Sequence, residues 1–179
     1  MNYMVNIFEL LSNKATITIL RYFIEHSSSK FYLAQLTKNV KLSKVSIIKA
    51  LEKLSSAEFL IMEQVGRALL YSLNNNNTQI KELKKFFTIS YALQALKDFK
   101  NIDCEIYLYG SSARGENDEK SDIDILIITN KKNEIKDQLS KIKNEKIKIL
   151  TITQMEYANL FRKDKPFYER IEKDKIRLI

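Results

Sequence analysis

With 179 residues, 45% of them hydrophobic, and few glycines or prolines, the chain suits one large domain or two small ones with little loose linker. No apolar run reaches the length of a membrane span, the opening MNYMVNIFELLSN lacks a basic n-region and carries Glu9, and Cys104 stands alone. The expectation is therefore a cytoplasmic protein without span, signal peptide or disulfide framework.

The net charge of +8 is concentrated in residues 1–100, with 14 Lys+Arg against 7 Asp+Glu; the remainder holds 16 against 15. A basic half beside a nearly neutral one points to a polyanion partner, although an AT-rich genome also enriches Lys, Ile and Asn. Apolar residues at Ile7, Phe8, Leu10, Leu11, Ile17, Leu20, Tyr22, Phe23 and Ile24 follow a helical period broken at Ser12-Asn13. This predicts a short helix over residues 5–11 and a longer one over 15–26. His26 ends that helix, where the dipole favours a cation; with no His or Cys nearby it reads as a terminus, not a ligand. A short amphipathic helix is expected over 31–39 and a turn over 40–42. Ser43 then caps a helix over 44–58. That helix turns Ile47, Ile48, Leu51 and Leu54 inward and Lys44, Ser46, Lys49 and Lys53 outward. Strands over 59–65 and 68–73 flank Gly66-Arg67 as a hairpin.

Asn74 to Asn77 form a polar boundary. Thr78 caps an expected helix over 79–99, more apolar than one face requires, which suits a homodimer contact or packing within its own chain. The expected domains are 1–75, a connecting or dimerisation helix at 76–100, and 101–179.

The chemistry concentrates in YLYGSSARGENDEKSDIDILIIT, residues 107–129. A buried strand ends in Gly110-Ser111, a polar loop follows, and Asp122 and Asp124 open the next strand. Side chains two apart share a face, so the two carboxylates point one way while Ile123 and Ile125 point into the core. Neighbouring carboxylates resist ionising unless a cation joins them, and Mg²⁺ is bound by such pairs with water and phosphate oxygens. Gly110 permits close backbone approach, and Ser111, Ser112 and the following amides can donate to phosphate. Together they suggest phosphoryl or nucleotidyl transfer. Beyond them, the pattern predicts a charged helix from 133 or 134 to 144 and a strand over 147–152. A helix over 154–161, another starting at Pro166 and a last strand over 176–179 complete it.

Two resemblances follow. Gly110-Ser111, Ala113-Arg114-Gly115 and Ser121-Asp122-Ile123-Asp124 resemble the signature of the minimal nucleotidyltransferases of the DNA polymerase β superfamily, over about residues 101–179. The resemblance implies a small mixed sheet flanked by helices. It also implies a triphosphate held at Gly110, Ser111, Ser112 and Arg114, and Mg²⁺ on Asp122 and Asp124 as the catalytic pair. Active members carry a third carboxylate on a later strand; here its position is Lys148, and Glu156 is the nearest acid. Metal and nucleotide binding therefore carry over better than catalysis.

Residues 8–73 resemble the winged helix-turn-helix domains of prokaryotic transcription regulators, which makes the whole an α+β chain. This implies double-stranded DNA at Ser43, Lys44, Ser46, Lys49 and Lys53, with Arg67 on the wing. Three functions follow as expectations. One is a DNA-binding regulator whose second domain binds Mg-NTP. Another is an active enzyme transferring NMP to a protein, RNA or small-molecule acceptor, antitoxin-like, with the winged helix selecting the partner. The third is a structural interaction module.

Overall fold

The computed structural model describes residues 7–99 and 101–179. Val5 and Asn6, the expected start of the first helix, and Lys100, the expected end of the connecting segment, lie outside them. The chain divides into two compact units, Met1–Ile80 and Lys81–Ile179.

In the first unit, α1 (Ile7–Ser12) and α2 (Lys14–Glu25) meet at Asn13, whose side chain accepts the Thr16 N–H at 3.0 Å and caps α2. A short strand β1 (Lys30–Tyr32) leads into α3 (Leu33–Asn39) and α4 (Lys44–Ser56). The hairpin β2 (Leu60–Val65) and β3 (Ala68–Leu73) turns at Gly66, with φ +60. The sheet runs β1-β3-β2, antiparallel throughout. β1 falls in the stretch expected to be helical from Phe31, because three residues are too few to show a period of two. Leu20, Phe23, Leu36, Ile47, Leu51, Leu54 and Phe59 are buried, so the helical stripes read from the sequence do meet in a core. His26 caps the end of α2, its ring stacked on Tyr22 and its Nδ1 2.8 Å from the Tyr22 carbonyl.

The helix α5 spans Thr78–Ala95 and is followed by a 3₁₀ turn, Lys97–Phe99, where one continuous helix was expected. The second unit continues with β4 (Glu105–Tyr109), α6 (Gly110–Arg114), β5 (Ile123–Ile128) and α7 (Lys136–Lys141). It ends with β6 (Ile147–Ile152), α8 (Gln154–Lys163), α9 (Lys165–Asp174) and β7 (Ile176–Arg177). Strand order is β6-β5-β4-β7; β5 and β6 are parallel and the other pairs antiparallel, so the sheet is small and mixed, as expected.

Alternation along these strands feeds two apolar layers. On one face Ile106, Ile125, Ile127 and Ile147 pack with Ala92, Leu96, Phe99 and Ile135. On the other, Leu126 and Ile128 pack with Ile171, Tyr109, Leu150, Tyr157, Leu160 and Phe167. The helix expected over 133 or 134 to 144 shrinks to α7, yet Ile135 is fully buried and Leu139 and Ile142 pack against the first layer, as their spacing indicated. Cys104 packs against that layer as a small, partly buried residue. No helix among the described residues is long and apolar enough to cross a membrane.

Candidate nucleotide and metal site

The site forms where β4 turns into α6 opposite the start of β5. Tyr109 lies across from Asp124 in the antiparallel register, which brings the following Gly110 beside the aspartate. Gly110 has φ +73, and a Cβ built on it would stand 2.7 Å from Asp124 Oδ2. Glycine serves here twice: the left-handed backbone disfavours other residues, and a Cβ would fit only if the Asp124 carboxylate moved aside.

Asp122 is exposed and Asp124 half-buried. Burial, then the charge of Asp122, push the Asp124 carboxyl above its ordinary range, while Arg170 pulls it back. Among the described residues, no side chain donates a hydrogen bond to either carboxylate. Ser111 is partly exposed and its hydroxyl has no protein partner among those residues. Ser112 is fully buried, and its hydroxyl donates to the Asp122 carbonyl at 3.3 Å, tying α6 to the mouth of β5. Arg114 donates from Nε to Glu116 at 2.8 Å and from Nη1 to Asp174 at 2.7 Å, joining α6 to the end of α9. Gly110, Ser111, Asp122 and Asp124 therefore come together around one bend, while Ser112 and Arg114 bond to protein partners.

The donors suit a hard divalent ion: two carboxylates from one strand face, with water and phosphate oxygens left to complete Mg²⁺ coordination. Among the described residues no group of three or more His, Cys, Asp or Glu comes together as a metal site. The parallel register places Lys148 on β6 directly opposite Asp124, so the third-acid position read from the sequence is a lysine in the fold as well. Glu156 is used elsewhere. It closes the capping box of α8 with Thr153 and accepts from Lys132 at 2.7 Å, and these bonds hold its carboxyl down at about 2.

Three contacts escaped the sequence. Arg170 reaches Asp124 electrostatically because Ile171 docks α9 on the second apolar layer. Asp174 pairs with Arg114 sixty residues away. Lys84 on α5 is buried, and the acids Glu116, Asp118 and Glu119 of the loop before β5 act on it while burial lowers its pKa. Lys84 follows Ile80 at helical spacing, which was the available signal for the last; nothing local marked the other two.

In the first unit, Ser43 caps α4, accepting the Ser46 N–H at 3.1 Å, and the two hydroxyls lie 2.8 Å apart. Lys44, Lys49, Lys53 and Arg67 are exposed, and Lys53 pairs with Glu9 at 3.5 Å.

The glycine-serine bend and the aspartate pair meet where β4 ends and β5 begins, on the two inner strands of a small mixed sheet. The family model of the nucleotidyltransferase domain matches residues 89–179, half of the chain, and the chain belongs to that family. No curated protein matches. Among solved structures, M. tuberculosis Rv0081 is 24% identical, covering 51% of this chain and 86% of its own, with a TM-score of 0.39. A structure described as "a putative nucleotidyltransferase from Sulfolobus solfataricus" is 19% identical, covering 54% and 84%, with a TM-score of 0.36. Both scores are low, and neither neighbour bears on the site.

Proposed function

We propose that the second unit binds a magnesium-bound nucleoside triphosphate between Gly110-Ser111 and Asp122/Asp124, and that the first is a winged helix which takes duplex DNA, making the chain a nucleotide-binding transcriptional regulator. The observation that carries the nucleotide half is the Gly110 bend, where a Cβ would fit only if the Asp124 carboxylate moved aside. Asp122 and Asp124 would hold the ion, the Gly110 backbone would let phosphate approach, and the Ser111 hydroxyl would donate to it. When bound, magnesium supplies neutralisation of the triphosphate charge. A transfer reaction also needs a group to take the acceptor's proton; the position expected to hold that acid is Lys148, and the nearest acid, Glu156, closes the capping box of α8. Binding without rapid transfer is therefore the reading adopted. The test is Mg-ATP titration of the wild type and Asp124→Asn: micromolar to millimolar binding lost in the variant supports the reading, and equal binding by both removes it.

The DNA half is supported by helix, strand, helix, helix and hairpin in the winged-helix order, with a strand β1 closing the sheet and Lys44, Lys49 and Arg67 exposed. Duplex binding at low salt that weakens as salt rises is the expected result. A second reading has its own support. The hairpin exposes Ile61, Met62, Val65 and Leu69, apolar side chains that suit a protein partner better than phosphate. In that reading the winged helix selects an acceptor, whose hydroxyl gives its proton to solvent and bonds through oxygen to the α-phosphorus as pyrophosphate leaves. Transfer of label from α-labelled NTP to a co-purifying acceptor, abolished by Asp124→Asn, would favour it.

A further inference from the structure

The charges around Asp124 do not match a site built for metal alone. Lys148 stands in register with Asp124 on the adjacent parallel strand, which puts both side chains on the same face of the sheet. It is exposed, and among the described residues no ion pair or hydrogen bond engages it. Arg170 approaches from α9. Its guanidinium lies over the Phe167 ring, 5.2 Å from the centroid, and Phe167 meets Tyr109 edge-on at 6.2 Å. Tyr109 is the strand partner of Asp124, so this stack sets Arg170 on the flank of the aspartate pair. Its charge is felt by both Tyr109 and Asp124.

Two carboxylates thus share their face with two cations, and no third acid joins them. For an incoming divalent ion, repulsion from Lys148 and Arg170 cancels much of the attraction of Asp122 and Asp124. A polyphosphate reverses that balance. Its oxygens can take donor hydrogen bonds from the ammonium and the guanidinium fork while they complete the coordination of an ion held by Asp122 and Asp124. We propose that Lys148 and Arg170 form an anion subsite beside Asp124 that grips the polyphosphate tail of the ligand, so that a divalent ion and a polyphosphate enter this site together and neither binds well alone. The subsite rests on the reading of this site as one for a triphosphate and names the residues that recognise its charge.

Three consequences separate this arrangement from an ordinary two-acid metal site. Metal affinity without phosphate is low. Removing either cation weakens the polyphosphate and leaves the bare ion bound no worse. Turning Lys148 into an acid exchanges one preference for the other.

The experiment uses the full chain and Mn²⁺ as a spin-active substitute for Mg²⁺, with inorganic tripolyphosphate as the second probe. Free and bound Mn²⁺ are read by electron paramagnetic resonance against protein-free controls, and tripolyphosphate binding is read by calorimetry. The wild type is expected to bind Mn²⁺ at least tenfold more tightly when tripolyphosphate is present. Lys148→Ala and Arg170→Ala should each lower tripolyphosphate affinity by about ten- to a hundredfold, the usual worth of a charge-assisted hydrogen bond. Neither should weaken Mn²⁺ alone. Lys148→Asp should tighten Mn²⁺ alone and weaken tripolyphosphate. Both side chains are exposed, and circular dichroism melts are the check that the variants fold; Arg170→Lys, which keeps the charge, should retain part of the affinity.

Equal Mn²⁺ binding by the wild type with and without tripolyphosphate would overturn the subsite. So would alanine variants that bind tripolyphosphate as the wild type does. If those variants also bind Mg-ATP normally while Asp124→Asn does not, the subsite alone falls and the nucleotide site stands. If Asp124→Asn binds Mg-ATP as well as the wild type, both fall.

Discussion

Gly110 and Asp124 set two conflicting requirements at one point. The bend needs a residue with positive φ and no side chain, and the carboxylate beside it needs a counter-charge. Gly110→Ala faces both a left-handed backbone and a Cβ 2.7 Å from Asp124 Oδ2. Because Asp124 can swing aside, the expected cost is about 1–2 kcal/mol. That should lower the melting midpoint by several degrees and weaken Mg-ATP binding, both read by calorimetry. Asp124 itself is a stability liability without a ligand. Its folded pKa is raised by burial and by Asp122, so its ionised form is disfavoured in the folded chain. The cost is absent below the unfolded value near 3.8 and grows as pH rises through the raised folded value. Asp124→Asn should therefore melt higher than the wild type at neutral pH, with the gap closing on acidification. A variant that melts lower at every pH would mean that the carboxylate makes favourable contacts in the folded state.

At the scale of elements, the seam between α5 and the loop leaving α6 is tighter than the bend. A Cβ on Gly115 would lie 2.2 Å from the Lys81 carbonyl oxygen, and backbone cannot step aside as a carboxylate can. Gly115→Ala should thus destabilise more than Gly110→Ala in the same melt; the reverse order would mean that α5 yields at Lys81. The helix α8 gives a gentler test. Its capping box joins Thr153 Oγ1 to the Glu156 N–H at 3.1 Å and the Glu156 carboxylate to the Thr153 N–H at 2.6 Å. Thr153→Ala should cost about 1 kcal/mol in denaturant unfolding without changing Mg-ATP affinity. Loss of nucleotide binding in that variant would return Glu156 to the site.

Much of this was legible before any coordinates. The period-two run at Asp122–Ile125, the break at Ser12-Asn13, the cap at Ser43 and the helical stripes of α2 and α4 are local signals, and the chain follows them. What stayed hidden is what packing decides. β1 is too short to show a period. The residues of α7 carry the spacing of a longer helix, but only six of them complete it. Arg170 and Asp174 reach the site because Ile171, five positions after Pro166, buries itself under Leu126 and Ile128, a contact no sequence pattern near Pro166 records.

For the molecule as a whole, net charge does not divide by unit: residues 1–80 hold 9 Lys+Arg against 5 Asp+Glu and residues 81–179 hold 21 against 17, an excess of four positive charges in each. A polyanion drawn to that excess releases counterions in proportion to the phosphates it gives up to protein cations, so its affinity falls with salt at a slope set by those contacts. The α4 face contributes Lys44 and Lys49, with Glu52 exposed between Lys49 and Lys53 and Lys53 shared with Glu9. The neighbouring acids should subtract Lys53 from the count. The Lys44→Ala, Lys49→Ala double variant of the full chain should then reduce the slope of log affinity against log salt by about 2, near 0.9 for each lost phosphate contact, on any duplex sequence. Lys53→Ala should leave the slope nearly unchanged. If the double variant keeps the wild-type slope, phosphate does not meet this face, and the exposed apolar hairpin becomes the better guide to what the first unit binds.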